Sequence, residues 1–316
     1  MGERDEARFR IVLTGATGFI GRHLQRELLD AGHALTVVVR PSSAHRDAVE
    51  PAARVHYSEL DDLDGLRPVL CEADFAIYGA GAVRGRDADD FDQANIAGVG
   101  CFARAAVEVM SRPRVVLLSS LAASRPCLSD YAASKRAGED ALTAGAGLEW
   151  AILRPPAVYG PGDREMLPLF TAVRHGLAPR LGPRGQRLAL LHVADLVRAV
   201  RLVIEHFEAC RGHTFELDDG HTKGYDWSEI VAHARGRLPV ALVPVPRLVL
   251  AAIAWVNLLL ARVFGYLPML TPGKVNELSA SCWLCDNQPL SAATGWRPQI
   301  ALGDGVNAMF APTTHE

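Results

Sequence analysis

The chain has 316 residues, and 49% of them are hydrophobic and 22% charged. This composition excludes a disordered or low-complexity protein, and the length allows one large α/β domain or a domain with a smaller lobe. The formal net charge of −3 gives no electrostatic case for binding nucleic acid, while the mean hydropathy of +0.09 is high for a water-soluble chain.

The cysteines and the N-terminal residues favour a reducing, cytoplasmic compartment. Six cysteines are too few for a disulfide scaffold. Cys282 and Cys285 form the CxxC pair, and because no second pair or histidine cluster accompanies them, we expect reduced thiols and no metal site. Residues 1–10 are charged and lack an apolar run, so we expect no signal peptide.

Short apolar runs alternate with helix-like stretches through the first half of the chain. The strands are predicted at residues 9–13, 35–39, 55–57, 75–78, 115–118 and 150–153. The helices are predicted at residues 19–30, 63–70, 91–110 and 131–144. This alternation predicts parallel pairing through right-handed crossovers, and therefore an α/β fold with a doubly wound parallel Rossmann sheet.

A proline-rich stretch follows the sixth predicted strand and indicates a second, loop-rich unit. A further helix at 192–206 and a strand at 214–217 are expected to return to the sheet. We therefore predict a dinucleotide-binding domain from residues 1–157 and 186–217. A smaller, interleaved C-terminal substrate lobe would comprise residues 158–185 and 218–316, with an apolar helix at 247–264.

A glycine-rich turn, TGATGFIG at 14–21, lies between the first predicted strand and the first predicted helix. Its glycines suit a tight turn, a close approach of the backbone to a pyrophosphate, and close packing of the helix on the strand. The phosphates would sit at the positive N-terminus of that helix. The predicted cofactor contacts in this turn are Gly15, Thr17, Gly18, Phe19, Ile20 and Gly21.

The end of the second predicted strand indicates which nicotinamide cofactor binds. NAD sites usually place a carboxylate there to accept from the ribose 2′-hydroxyl, whereas this chain has Arg40, followed by Ser42 and Ser43. Arginine matches a 2′-phosphate in charge and fork geometry. We therefore predict NADP(H) in preference to NAD(H), with these three residues as contacts.

Tyr131 and Lys135 stand four residues apart in YAASK, which puts both on one face of a helix. A cation beside a phenol is expected to lower the pKa of the phenol, and the tyrosine would then exchange a proton with a carbonyl. Ser119 and Ser120 end the fifth predicted strand, at the carboxyl edge where such sheets keep their sites. A hydroxyl there would orient the carbonyl oxygen.

Together with RPPAVYGPGD at 154–163 and HVAD at 192–195, these motifs occur in the order typical of one family. The chain resembles an extended short-chain dehydrogenase/reductase over nearly its whole length. The resemblance implies that Ser120 orients the carbonyl, that Tyr131 is the acid/base, and that Lys135 holds the nicotinamide ribose and tunes Tyr131. It also implies that Asn95 supports a proton relay, although a satisfied polar residue within a helix is the alternative.

The resemblance implies further cofactor contacts outside the glycine turn. Glu59 and Leu60 occupy the family's position beside the adenine, with glutamate in place of the usual aspartate. The remaining implied contacts close the fourth strand or pack on the nicotinamide, and they are Ala80, Gly81, Pro155 and Val158.

The family includes sugar-nucleotide epimerases and dehydratases, and this activity with bound NAD is the alternative. Such members tend to carry an arginine shortly before the HVxD motif, to pair with a pyrophosphate. Here Leu188 occupies that position, with Arg184 and Arg187 just upstream, which weakens this interpretation. A non-enzymatic sensor or chaperone would usually lose Tyr131 or Lys135, and both are present.

Residues 248–261 read LVLAAIAWVNLLLA and are bracketed by Arg247 and Arg262. Fourteen helical residues extend about 21 Å, short of the roughly 30 Å hydrocarbon core of a bilayer. Two interpretations stay open. The segment is either an interfacial helix with Trp255 and Tyr266 as amphipathic anchors, or an ordinary core helix of the lobe.

This segment and ATGWRP at 293–298 resemble the 3-beta-hydroxysteroid dehydrogenase branch, whose bacterial relatives include ketoreductases of sphingolipid synthesis. The resemblance implies an NADPH-dependent ketoreductase of a lipid-like substrate, with a 3-keto ceramide as first candidate and a sterol as second. The expected partners are this apolar substrate, the inner face of a membrane through residues 247–264, and a second copy of the chain in a homodimer.

Overall fold

A computed structural model describes residues 9–236 and 238–311 of the protein. The strands in chain order are β1 (Arg10–Thr14), β2 (Ala34–Val39), β3 (Arg54–Tyr57), β4 (Phe75–Tyr78), β5 (Arg114–Leu118), β6 (Trp150–Arg154), β7 (Ala157–Tyr159), β8 (Leu177–Arg180), β9 (Arg187–Leu188), β10 (Leu190–His192), β11 (His213–Glu216), β12 (Ala241–Pro244) and β13 (Cys282–Trp283). The helices in chain order are α1 (Phe19–Asp30), α2 (Leu63–Cys71), α3 (Asp89–Asp92), α4 (Gly98–Glu108), α5 (Asp130–Thr143), α6 (Leu167–Arg174), α7 (Val193–Glu205), α8 (Phe207–Cys210), α9 (Trp227–Ala234), α10 (Arg247–Phe264), α11 (Pro272–Ser279), α12 (Gln288–Thr294) and α13 (Leu302–Met309).

Seven strands form one parallel sheet in the order β11-β6-β5-β4-β1-β2-β3. The chain builds outward from β1 in one direction and then continues from β4 in the other. The direction of winding therefore reverses between β1 and β4, and this is the point at which doubly wound sheets bind their ligands. The predicted doubly wound parallel fold is confirmed.

Helices cover both faces of the sheet because its strands are apolar on both sides. On one face α1 and α7 bury Leu24 and Val200, and on the other α2 and α4 bury Leu66 and Phe102. Burying one such side chain contributes about 1.5–3 kcal/mol of transfer free energy. These two layers hold the strand ends, and hence the site, in a fixed arrangement.

The predicted helix over 91–110 differs in the structure. It consists of α3, a π-helical turn at Gln93–Ala97 and α4, all in one continuous helical path. Such π-turns occur often at functional sites. This one contains Asn95, which is buried.

The C-terminal lobe is held together by short strands from segments that are far apart in the chain. Three short parallel pairs, β7 with β10, β8 with β12 and β9 with β13, join distant segments of the chain. A separate apolar cluster, which includes Phe170, Ile230 and Leu302, forms the core of this lobe.

Helix α10 has 18 residues and is longer than the 14-residue apolar run alone. It is the one helix within the described residues that is long and apolar enough, by length and composition, to cross a membrane. Only 22% of it is buried, through Leu250, Ala254, Leu258 and Ala261. Its remaining apolar side chains face outward, so the described residues of this single chain do not enclose the helix.

Candidate active site

The glycine turn after β1 has the backbone geometry that a dinucleotide phosphate requires. Gly15 adopts a φ of +73°, and a Cβ there would lie 2.5 Å from the backbone of Gly79 and Ala80. Gly18 is exposed at the N-cap of α1. Among the described residues, no side chain caps this helix, and its first turn contains no acidic residue. The free N–H groups and the positive end of α1 therefore fit a pyrophosphate.

The end of β4 forms the neighbouring wall of this cleft. Thr14 Oγ1 accepts hydrogen bonds of 3.2 Å from the backbone N–H groups of both Gly79 and Ala80. Gly81 follows and is exposed, and a Cβ there would lie 3.2 Å from Asn95 Oδ1 and 3.7 Å from Lys135 Nζ. The predicted cofactor residues at the ends of β1 and β4 are thus adjacent to two predicted catalytic residues.

The other predicted cofactor residues surround the same edge of the sheet. Arg40 directly follows β2 and is exposed, and no described carboxylate pairs with its guanidinium. Ser42 and Ser43 follow in a turn closed by the Ser43 N–H and the Arg40 carbonyl. The remaining predicted residues lie in the glycine turn and the first turn of α1, just after β3, or from the end of β6 into β7. They are Thr17, Phe19, Ile20, Glu59, Leu60, Pro155 and Val158.

The predicted catalytic hydroxyls and ammonium meet at the carboxyl end of β5. The Tyr131 side chain hydrogen bonds with Ser120, which caps the turn after β5 by accepting from Ala122 N–H at 3.2 Å. Lys135 lies one turn further along α5, and its Nζ donates a 2.8 Å hydrogen bond to the carbonyl oxygen of Leu118. The last residue of β5 and the turn that follows it thus hold both side chains.

The pKa of Tyr131 differs from the sequence-based expectation. Burial raises the pKa of the Tyr131 phenol to about 12; the Ser120 hydrogen bond opposes this, and the charge of Glu277 adds to it. The ammonium of Lys135 is buried, and its Nζ donates to the Leu118 carbonyl. Burial lowers the pKa of Lys135 to about 8, with the charge of Glu139 opposing the shift. A neutral phenol is the form that donates a proton to a ketone.

Asn95 makes a closed hydrogen-bond network with the catalytic helix. Its Nδ2 donates to Ser134 Oγ at 2.9 Å and to the Ala82 carbonyl at 3.0 Å, while its Oδ1 accepts from Ala82 N–H. Ser134 Oγ in turn donates to the Tyr131 carbonyl at 2.8 Å. Asn95 therefore connects the π-turn to the backbone of the catalytic tyrosine.

The two serines after β5 have different environments. Ser119 is buried and donates a short hydrogen bond to Glu139, whose carboxylate also accepts two hydrogen bonds from Arg154 on β6. This ion pair joins α5 to the sheet next to Lys135. Ser119 is therefore held by structural contacts, and Ser120 is the hydroxyl at the site.

A cavity of about 320 Å³ opens beside Tyr131. Its lining comes from the loop after β4, the start of α5, helix α10 and helix α11. The lining residues include Phe91, Trp255, Leu258, Met269, Lys274 and Glu277. The cavity is the space in which a carbonyl substrate would meet the phenol, and the apolar helix forms part of its wall.

Lys274 and Glu277 were not predicted from the sequence. Both lie on α11, where Lys274 donates to Glu277 and Glu277 also accepts from Ser129. The two side chains bring charge to the cavity beside Tyr131. One signal was available: the chain has only three lysines among 33 basic residues, and two of them, Lys135 and Lys274, lie at this site.

Comparisons with known proteins agree with this geometry. A family model described as the NAD dependent epimerase/dehydratase family matches residues 11–217. The chain is 38% identical over 314 residues to a ceramide reductase of Caulobacter vibrioides, covering 95% of this chain and 93% of that protein. It is 25% identical over 337 residues to a 2-alkyl-3-oxoalkanoate reductase of Stenotrophomonas maltophilia, covering 96% of this chain and 98% of that protein.

Solved structures show the same fold. The Bordetella bronchiseptica enzyme WbmG, in complex with NAD and UDP, superimposes with a TM-score of 0.71 at 16% identity, covering 96% of this chain and 94% of that one. The family model spans the glycine turn, the β5 serines, the YxxxK pair and the sheet that holds them. The chain belongs to the NAD-dependent epimerase/dehydratase family of extended short-chain dehydrogenases/reductases, and it is an NAD(P)-dependent oxidoreductase.

Proposed function

We propose that the protein is an NADPH-dependent ketoreductase of a lipid-like substrate, with a 3-keto ceramide as first candidate and a 3-keto sterol as second. The main observation behind this proposal is that Tyr131 and the apolar helix α10 line the same cavity. Two relatives over nearly the full length are named as reductases of ceramide and of an oxoalkanoate, which supports this substrate class.

The site contains what a ketone reduction requires of the protein. A bound nicotinamide would supply hydride, while the cleft from Gly15 to Gly18 and the end of β4 would orient it. Ser120 would hold the ketone oxygen, and Tyr131, which is neutral at physiological pH, would donate its proton as negative charge develops there. Lys135, buried and fixed on the Leu118 carbonyl, would hold its charge close to that event.

The preference for NADPH rests on Arg40. Its guanidinium is exposed at the end of β2 without a carboxylate partner among the described residues, and so it is available to a 2′-phosphate. Glu59, the nearest predicted acidic contact, belongs to the end of the next strand, β3. NAD(H) lacks the phosphate that this arginine would pair with.

We further propose that α10 lies on the inner face of a membrane and that the enzyme works from the cytoplasm. The outward face of the helix exposes Leu248, Trp255, Leu259, Val263 and Phe264, each at least 61% accessible. A helix that exposes such an apolar face inserts shallowly at the headgroup level, where tryptophan is favoured. The substrate would then enter the cavity from the bilayer, past Trp255 and Leu258.

A sugar-nucleotide epimerase is disfavoured by the position of Arg187. Its Nη1 donates a 2.9 Å hydrogen bond to Glu229 and lies 3.9 Å from Asp226. This arginine is thus neutralised by two carboxylates of the lobe, and Leu188 packs against the lobe core. Leu188, at the family's position, carries no charge, and the arginine directly before it is already paired. Arg184 is exposed but lies four residues from that position.

The proposal is tested with two substrate classes, by following NADPH consumption with a micellar 3-keto ceramide and the formation of the epimeric sugar nucleotide with a UDP-hexose. We expect reduction of the keto lipid, and loss of this activity with retained NADPH binding in Tyr131→Phe. Epimerisation of the UDP-hexose with tightly retained NAD, and no turnover of the keto lipid, would overturn the proposal.

A further inference from the structure

The end of the cavity beside Tyr131 is polar, in contrast to the wall formed by α10. Lys274 and Glu277 both line it, and the Lys274 ammonium lies 5.8 Å from the centroid of the Tyr131 ring. A substrate whose ketone oxygen is bound at the phenol would therefore lie beside a fixed cation. The proposed reaction, proton donation by Tyr131, does not use this cation.

Glu277 fixes the position of the lysine. It is buried, with one carboxylate oxygen accepting from Ser129 Oγ at 2.5 Å and the other accepting from Lys274 Nζ at 2.7 Å. Ser129 also accepts from Ala132 N–H at 3.0 Å and so caps the catalytic helix. Both carboxylate oxygens of Glu277 are thus engaged, and the lysine is tied to the N-terminus of α5.

The Lys274 ammonium has further N–H donors that are not used in hydrogen bonds to any described protein group. An ammonium has three N–H donors, and one of these goes to Glu277. The side chain is 29% exposed and lines the cavity. Two other cations line the cavity. Arg86 is engaged in two hydrogen bonds with Asp90 and is therefore less available, and Arg262 lies on α10, in a different wall from the polar pair on α11.

Resting on the proposed function, we infer that Lys274 is a specificity-determining residue that recognises an N-acyl amino ketone. Its free N–H groups donate to the amide carbonyl oxygen that stands a few bonds from the reacting ketone. A charge-assisted hydrogen bond of this kind orients the ketone toward Tyr131 and discriminates against ketones that lack the amide. The apolar wall of α10 takes the hydrocarbon chains of either lipid.

The test compares two micellar substrates of matched chain length, an N-acyl 3-keto amino lipid and a long-chain ketone without the amide. In Lys274→Met we expect kcat/KM to fall about 10- to 100-fold for the amide substrate, which corresponds to one charged hydrogen bond, and to change less than about threefold for the plain ketone. Lys274→Arg, which keeps a cationic donor, is expected to restore much of the preference. Lys223→Met, at an exposed lysine outside the cavity, serves as the matched control.

A merely structural lysine gives a different result, because its loss would lower turnover of both substrates in parallel. Equal losses on both ketones, or an unchanged preference in Lys274→Met, would overturn the inference. If Lys274→Met has a lowered Tm, Lys274→Gln supplies the same comparison with a smaller change of polarity. Wild-type enzyme that reduces neither ketone would end the proposed function itself, and this inference with it.

Discussion

Trp255 and Tyr131 line the same cavity, although one lies on the outward-facing helix α10 and the other in the first turn of the catalytic helix α5. Trp255 is 61% exposed, so this side chain belongs both to the surface and to the approach to the phenol. A lipid surface in contact with α10 would therefore adjoin the route to the reacting group. This relationship connects the apolar excess of the chain with its chemistry.

The membrane proposal predicts that charges on the outward face of α10 weaken binding to vesicles. We expect the double change Leu259→Glu and Val263→Glu to reduce binding to vesicles of mixed phosphatidylcholine and phosphatidylglycerol by more than about tenfold, since each apolar side chain contributes about 1.5–3 kcal/mol on burial. Flotation or tryptophan fluorescence with the vesicles measures this.

Met110→Glu is the control for that experiment, because Met110 is 93% exposed and lies beyond the end of α4, away from α10. It is expected to bind vesicles as the wild type does. Equal binding by wild type and the double variant would contradict the proposal. A change in the solution mass of the double variant, without any vesicle effect, would instead assign the face to a second copy of the chain.

The cofactor preference predicts a selective effect at Arg40. Arg40→Ala is expected to weaken NADPH binding by about 10- to 100-fold, because one charge-assisted contact to the 2′-phosphate is lost, and to leave NADH binding almost unchanged. Fluorescence titration of both cofactors measures the ratio of dissociation constants. An equal effect on the two cofactors would place Arg40 outside the phosphate site.

Replacement by alanine is expected to have different effects at Gly18 and at Gly15, two glycines of the cofactor turn. At Gly18 the φ of −77° suits any residue and an added Cβ would lie 3.3 Å from the Gly15 carbonyl oxygen, so Gly18→Ala is expected to fold normally but bind cofactor weakly. At Gly15 the φ of +73° and the 2.5 Å approach to the backbone predict destabilisation by about 2 kcal/mol or more. Thermal unfolding and cofactor titration of both variants, measured side by side, decide this; loss of stability in Gly18→Ala would contradict the assignment.

Much of this architecture could be predicted because periodic and local signals carry it. The strands of the sheet, the turn at Gly15 and Gly18, and the position of Tyr131 and Lys135 on one helix depend on hydrophobic periodicity and short spacing. The structure also agrees with the apolar helix over 247–264, which is α10. Such features are visible within a few residues of the chain.

The remaining features depend on contacts between distant segments. Glu277 reaches Ser129 across 148 residues, and no local pattern indicates that pairing. The pKa of Tyr131 was expected to fall beside Lys135, but tertiary burial raises it instead. The π-turn at Gln93–Ala97 interrupts a sequence that otherwise has ordinary helical spacing.

The burial of Lys135 is expected to lower the free energy of unfolding, although the side chain is needed for turnover. The lowered pKa, about 8 against the usual 10.5, means that the unfolded chain binds more protons than the folded one between these pH values. The cost of burying the ammonium is thus fully present below pH 8, and wild-type stability rises as pH increases toward 10.5. Lys135→Met is expected to raise the free energy of unfolding at pH 7 by about 2 kcal/mol, after loss of one hydrogen bond, while turnover disappears.

Chemical denaturation at pH 7 and at pH 10 measures this effect, and the advantage of Lys135→Met over wild type is expected to shrink at the higher pH. Arg136→Met, on the exposed side of α5, is the matched control and is expected to show no such pH dependence. A Lys135→Met variant that is less stable than wild type at pH 7 would show that the buried ammonium is not a net cost.

The most direct test of the proposed lipid ketoreductase is mass spectrometry of lipids extracted from cells that carry either the wild-type chain or Tyr131→Phe. The variant should leave the site intact except for the phenolic hydroxyl. We predict that it accumulates a lipid lighter by two hydrogens than the corresponding wild-type lipid, with a ketone in place of a secondary alcohol. Identical lipid profiles, together with an altered pool of sugar nucleotides, would contradict the account.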